Sequence, residues 1–126
     1  MKSYVKKCVL LGCTIGILMS SIITATAMTT SLDGHLYTKN PLWSAPKGYA
    51  STAGYKKITA KCTVSKSGYS TKSVSTSDNA GTAGGYIETD WIYGPTYKSS
   101  GTKFTSKHTG YDYFGTYYTK TASYKY

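Results

Sequence analysis

Few side chains in this chain are bases or metal ligands, and their spacing serves chemistry poorly. Nucleophilic catalysis needs a base beside a Ser, Thr or Cys. After the leader described below, the bases are His35 and His108. Ser and Thr are so abundant that either histidine has one nearby through composition alone, and no Gly-x-Ser-x-Gly elbow occurs. Surface or turn positions are expected for both histidines. Metal binding needs clustered ligands, yet there is no Cys-x-x-Cys, no His-x-x-x-His and no calcium-loop pattern. Asp78-Asn79 opens a Gly-rich loop and reads as turn chemistry. Glu88 and Asp90 are two apart on a predicted strand, with Cα atoms about 7 Å apart on one face. Paired carboxylates run glycoside hydrolysis, but among so many lysines cross-strand pairing with Lys is the simpler reading. Ala80 to Gly85 lacks the Gly-Lys-Ser/Thr ending of a phosphate loop. The expectation is a protein that is not an enzyme, with no cofactor and no metal.

The residues that carry weight are lysines and tyrosines. Lys56, Lys57, Lys61, Lys66 and Lys72 cluster across a predicted hairpin, and Lys98, Lys103, Lys107, Lys120 and Lys125 are interspersed with tyrosines. A cationic, aromatic-rich β surface attracts polyanions. Nucleic acid fits through phosphate contacts and stacking, but export argues against it. Outside a Gram-positive cell the abundant anions are teichoic acids, anionic lipids and pyrophosphate-bearing wall precursors such as lipid II. Tyr and Trp suit sugar stacking and the membrane interface. The predicted envelope-binding residues are Lys56, Lys57, Lys61, Trp91, Tyr93, Tyr111, Tyr113 and Tyr117. The competing reading is that the lysines solubilise a β domain whose core the tyrosines build.

Export is read from the first 27 residues. Lys2, Lys6 and Lys7 precede an apolar run from Cys8 to Ile23, and Ala25-Thr26-Ala27 is a small-x-small cleavage pattern. The run is about 16 residues and broken by Gly12, Gly16, Ser20 and Ser21, short of the ~20 that span a bilayer. A retained anchor and lipidation at Cys13 are the alternatives. Cleavage after Ala27 would leave one small secreted domain of 99 residues, with twelve lysines, no arginine and five acids, a net charge of +7. Cys62 would then be its lone cysteine, expected to pack as a small hydrophobe.

The elements positioning these residues read as strands. Tyr and Thr favour pleated, half-buried surfaces, no segment after residue 28 has 3.6-residue apolar spacing, and glycine recurs about every ten residues as in short strands joined by turns. The predicted fold is all-β, a small antiparallel β-sandwich or open barrel of five to six strands after a helical signal peptide. Residues 28–54, with Pro41, Pro46, Gly48 and Gly54, are expected as an extended arm anchored by Leu42 and Trp43, and residues 55–126 as the sandwich. Tyr55 to Val64 is the clearest strand, alternating Ile58, Ala60, Cys62 and Val64 with Lys57, Thr59, Lys61 and Thr63. Ser65 to Gly68 is a turn into Thr71–Thr76, with Val74 inward. Tyr86 to Tyr93 is read as one strand with Ile87, Thr89, Trp91 and Tyr93 on one face. Lys103–His108, Tyr111–Tyr118 and Lys120–Tyr126 follow.

From Trp43 onward the sequence resembles the lactococcin family of secreted, unmodified bacteriocins with a β-sandwich fold. The resemblance lies in Trp43, the small run Gly48-Tyr49-Ala50-Ser51-Thr52-Ala53, the strand end Ala60-Lys61-Cys62-Thr63-Val64, Ala80-Gly81, the strand bearing Trp91, and Tyr117-Tyr118. It implies binding to lipid II and a block of septum formation; the chain is longer than is usual in that family. The resulting expectation is a cationic antibacterial protein acting at the envelope, against the alternative of a non-toxic wall- or glycan-binding module.

Overall fold

The second strand organises the molecule. The computed structural model describes residues 32–126; the expected leader, its helix and its cleavage site lie outside the described residues. β1 spans Asp33–Lys39 and β2 the 19 residues Lys47–Ser65. In the second half of β2, Ile58, Ala60, Cys62 and Val64 are buried while Lys57 and Lys61 face out, as a period of two requires. In the first half the inward positions are small: Gly48, Ala50, Thr52 and Gly54. Between the halves Lys56 adopts φ 58, a left-handed backbone that few non-glycine residues take. The pairing register slips between Tyr55 and Thr59. The strand turns a corner there, and its two inward faces meet.

β1 pairs antiparallel with the first half of β2, from Asp33↔Ala53 to Lys39↔Lys47. β4 (Gly85–Glu88) and β5 (Ile92–Tyr93) pair with the opposite edge of that half. β3 (Lys72–Asn79) and β6 (Lys103–Tyr111) flank the second half, and β7 (Tyr117–Lys125) pairs with β6. The result is one seven-stranded antiparallel sheet curled into a half-barrel. The all-β expectation of a small antiparallel sandwich or open barrel agrees with this architecture in its open-barrel form, with seven strands among the described residues in place of five or six.

The core is small and closely fitted. Ala50, Ala60, Cys62, Val64, Ile92 and Phe104 form its centre, with Leu36, Val74 and Ile87 packed against it. The layers approach closely because glycine stands where they meet. A Cβ on Gly34 would lie 2.3 Å from the His108 ring, and one on Gly48 would lie 2.9 Å from the Phe104 ring. Cys62 is a buried free thiol, and burial pushes its pKa up to about 12.

Several local expectations are corrected. Most of residues 28–54 is not an extended arm: β1 and the first half of β2 are fully paired, because Pro41 and Pro46 bracket a turn and leave the strands intact. Leu42 and Trp43 anchor nothing, being 81% and 87% exposed. Tyr86 to Tyr93 is not continuous. Ser51 opposes Glu88 while Gly48 opposes Ile92, a one-residue slip that buries both Thr89 and Ile92. Asp90 and Trp91 together oppose Tyr49, which is a β-bulge. The Thr89 hydroxyl accepts the Ala50 N–H at 3.0 Å, and Thr89 N–H donates to the Ala50 carbonyl at 2.9 Å. Tyr111 to Tyr118 is likewise two strand ends around a turn. Asp112 fixes that turn by accepting Thr116 N–H at its Oδ1, 2.8 Å away.

Candidate functional site

Pairing in the second half of the barrel sets out an ordered outer face. Thr59, Lys61 and Thr63 of β2 stand opposite Thr109, Lys107 and Thr105 of β6. These in turn face Thr119, Thr121 and Ser123 of β7, while β3 adds Ser73, Ser75 and Ser77. Thr59 and Thr109 hydrogen-bond to each other through their hydroxyls. No Asp or Glu occupies an outward position here. Lys61 lies directly across from Lys107, and Lys103 from Lys125. Lys39 and Lys47 form a third such pair between β1 and β2. Like charges in direct register destabilise a sheet.

The corner at Lys56 carries both ends of β2 to one end of the molecule, where three loops gather. Asn40 Nδ2 donates to Ser99 Oγ at 3.1 Å, joining the β1–β2 turn to the β5–β6 loop. Lys66 Nζ donates to Thr96 Oγ1 at 2.7 Å and to the Lys98 carbonyl at 2.6 Å, joining the β2–β3 turn to the same loop. Gly94 N–H donates to the Pro46 carbonyl at 2.8 Å. Lys39, Lys47, Lys66, Lys72 and Lys98 therefore share this end with the Lys103–Lys125 pair. A shallow cleft of about 470 Å³ lies among Ser65, Lys66, Ser67, Ser100, Lys103 and Lys125. Asp33, Asp78 and Asp112 stand at the corner end instead, beside Ala53, Ile58 and the β6–β7 turn.

The outer face of the first half is aromatic. Tyr37 and Tyr49 stack at 4.7 Å with planes 15° apart, and Trp91 meets Tyr49 edge-on at 4.7 Å. Lys47 Nζ lies 4.6 Å from the Trp91 ring centre and 5.5 Å from that of Tyr93, within cation–π range. The Tyr86 hydroxyl donates to Glu88 Oε2 at 2.5 Å. Burial, and then the Glu88 carboxylate, push the Tyr49 and Tyr86 hydroxyls above the ordinary tyrosine pKa, keeping them neutral.

The predicted binding residues fall in three places. Lys57 and Lys61 lie on the lysine–threonine face. Trp91 and Tyr93 lie on the aromatic face beside Lys47. Lys56, Tyr111, Tyr113 and Tyr117 gather at the corner, with Tyr111–Tyr117 at 5.2 Å, Tyr55–Tyr113 at 5.6 Å and Lys56 Nζ 5.1 Å from the Tyr111 ring. Sequence reading missed Lys39, Lys47 and the exposed pair Leu42–Trp43; the signal was lysines bracketing a Pro-flanked apolar turn. Glu88 ends β4, whereas Asp90 lies in the bulge. His108 is a core residue, not a surface one: its Nδ1 is 2.8 Å from Thr52 Oγ1 and its Nε2 is 2.8 Å from Ser106 Oγ. Burial holds its pKa down at about 4, so the ring is neutral at pH 7. Among the described residues no three His, Cys, Asp or Glu side chains are grouped to hold a metal ion.

Comparison of the chain with family models, with curated proteins and with solved structures finds no match in any of the three.

Proposed function

We propose that this chain is a secreted, non-enzymatic, cationic antibacterial protein that acts at the bacterial envelope by attaching to phosphate-bearing components. One observation carries the reading: three lysine pairs stand in direct cross-strand register, with no carboxylate on the outward positions around Lys61–Lys107 and Lys103–Lys125. Such an arrangement costs stability in the free protein and is relieved when an anionic polymer supplies the counter-charge. The neighbouring Ser and Thr hydroxyls add hydrogen-bond donors for phosphate and sugar oxygens. Teichoic acid, anionic lipid and lipid II all present this chemistry.

The test is a dose series of purified protein on growing Gram-positive cells, with and without added lipid II and at rising salt. Inhibition that lipid II reverses identifies a precursor-binding bacteriocin. Inhibition that salt abolishes but lipid II does not points to the polymer or lipid surface. No inhibition of any strain removes the toxic reading. A second reading, a wall- or glycan-binding module without toxicity, is favoured by the Tyr37–Tyr49–Trp91 row, since aromatic rings in a row suit sugar rings. Binding to isolated cell walls without growth inhibition would select it.

A further inference from the structure

The β1–β2 turn carries two adjacent, strongly exposed apolar side chains. Leu42 and Trp43 are adjacent in sequence, 81% and 87% exposed, and are Leu and Trp in a domain whose other Leu residues are buried or half-buried. Two such side chains together at a tip are not the scattered single exposures of an ordinary surface. The turn is firmly mounted. Pro41 and Pro46 flank it, Pro46 is fully buried, Asn40 is bonded to Ser99, and the Pro46 carbonyl accepts Gly94 N–H. Tyr97, in the loop that Asn40 grips, is also exposed. At the base stand Lys39 and Lys47 in direct opposition, with Lys98 in that same neighbouring loop.

We propose that the Leu42–Trp43 turn is a lipid-interface anchor, seating both side chains in the headgroup layer of an anionic bilayer while Lys39, Lys47 and Lys98 meet lipid phosphates. Trp and Tyr settle at the boundary between headgroups and acyl chains, where an apolar ring and a polar edge are both satisfied. Basic residues beside an apolar tip add attraction to anionic lipids, and neither contribution alone gives firm attachment. A sugar polymer would use the lysines and leave Leu42 without a partner; a bilayer uses all of them. The proposal rests on the envelope reading above and names the component that this end of the molecule meets.

Trp43 and Trp91 are the chain's two tryptophans, so each is reported separately in the full chain by Trp91→Phe and Trp43→Phe. Each variant is mixed with vesicles of phosphatidylcholine alone or with phosphatidylglycerol, some carrying brominated acyl chains. The expected result is a blue shift and bromine quenching of Trp43 in phosphatidylglycerol vesicles, with Trp91 much less affected. This readout is specific to the turn whatever residues 1–31 do. Leu42→Ser/Trp43→Ser should lower the chain's partition into those vesicles at least about tenfold, while leaving binding to lipid-free cell walls unchanged. A Trp43 that stays as accessible to aqueous acrylamide with vesicles as without overturns the anchor, whether or not the chain sediments with them. If wall binding survives in that case, the envelope reading stands without it. If the wild-type chain binds neither walls nor vesicles, both readings fall.

Discussion

His108 illustrates how a side chain suited to catalysis can be committed to the core. Its two ring nitrogens are engaged by Thr52 and Ser106, and protonation would place a charge in a buried position near His35 and Lys120. Its folded pKa of about 4 lies below the usual 6.5. Between these values the unfolded chain binds the proton and the folded chain does not. Stability from this group is therefore complete above about pH 6.5 and is lost as pH falls towards 4, on the order of 3 kcal/mol in all. Urea midpoints at pH 7 and pH 4.5 should show this drop, and His108→Gln should flatten it. Cys62 is the second buried reactive group. With its pKa pushed up to about 12 by burial, it should resist alkylation in the folded protein at pH 8. Peptide mapping after brief iodoacetamide treatment should find it modified only in denaturant; rapid labelling under native conditions would contradict its core position. Its burial was legible in the sequence because Ile58, Ala60, Cys62 and Val64 repeat strictly at every second position. That of His108 was not, because its partners Thr52 and Ser106 are brought together only by tertiary folding.

At the scale of elements, two irregularities shape the sheet. Lys56 holds the corner at φ 58, where a β-branched side chain is strained and glycine is not. Lys56→Val should cost roughly 1–2 kcal/mol, whereas Lys56→Gly should be tolerated; paired chemical denaturation curves would show the contrast. Thr89 completes the bulge by receiving the Ala50 N–H in place of a backbone carbonyl. Thr89→Val would leave that buried donor unpaired, at about 1–3 kcal/mol, detectable as a lowered urea midpoint with an unchanged slope. Neither device announces itself in the sequence. Lys56 is an ordinary residue for a strand, and the bulge interrupts a run, Tyr86 to Tyr93, whose alternation looks unbroken. The missed β1–β2 hairpin has a similar cause: of its inward positions Gly34, Leu36, Thr38, Gly48, Ala50 and Thr52, Leu36 is the one large apolar side chain, so alternation of size largely replaced alternation of polarity. The hairpin of β2 with β3 was legible because Cys62 and Val74 are apolar and face each other.

For the whole molecule, the proposed envelope binding sets the lysine pairs against stability. Lys61→Glu should place opposite charges across from Lys107, giving a slightly more stable protein that binds teichoic acid or anionic vesicles more weakly. Thermal melts and sedimentation binding on the same sample would measure both; equal binding by the variant would remove the face from the mechanism. The wild-type protein should itself lose binding as salt rises through the range where the Debye length falls below about 8 Å. The sequence displayed the lysines but not their grouping, since residues 39, 47, 66, 98, 103 and 125 become neighbours only through the corner in β2. That grouping also leaves Asp33, Asp78 and Asp112 at the far end, where they offset Lys56, Lys57 and Lys120, so among the described residues the net positive charge lies at the loop end. In the field of a negatively charged surface it would be turned before contact and would arrive loops first. The trailing pole, with Tyr113 and Phe114 standing exposed on the turn that Asp112 fixes, would then be the side presented to whatever approaches next.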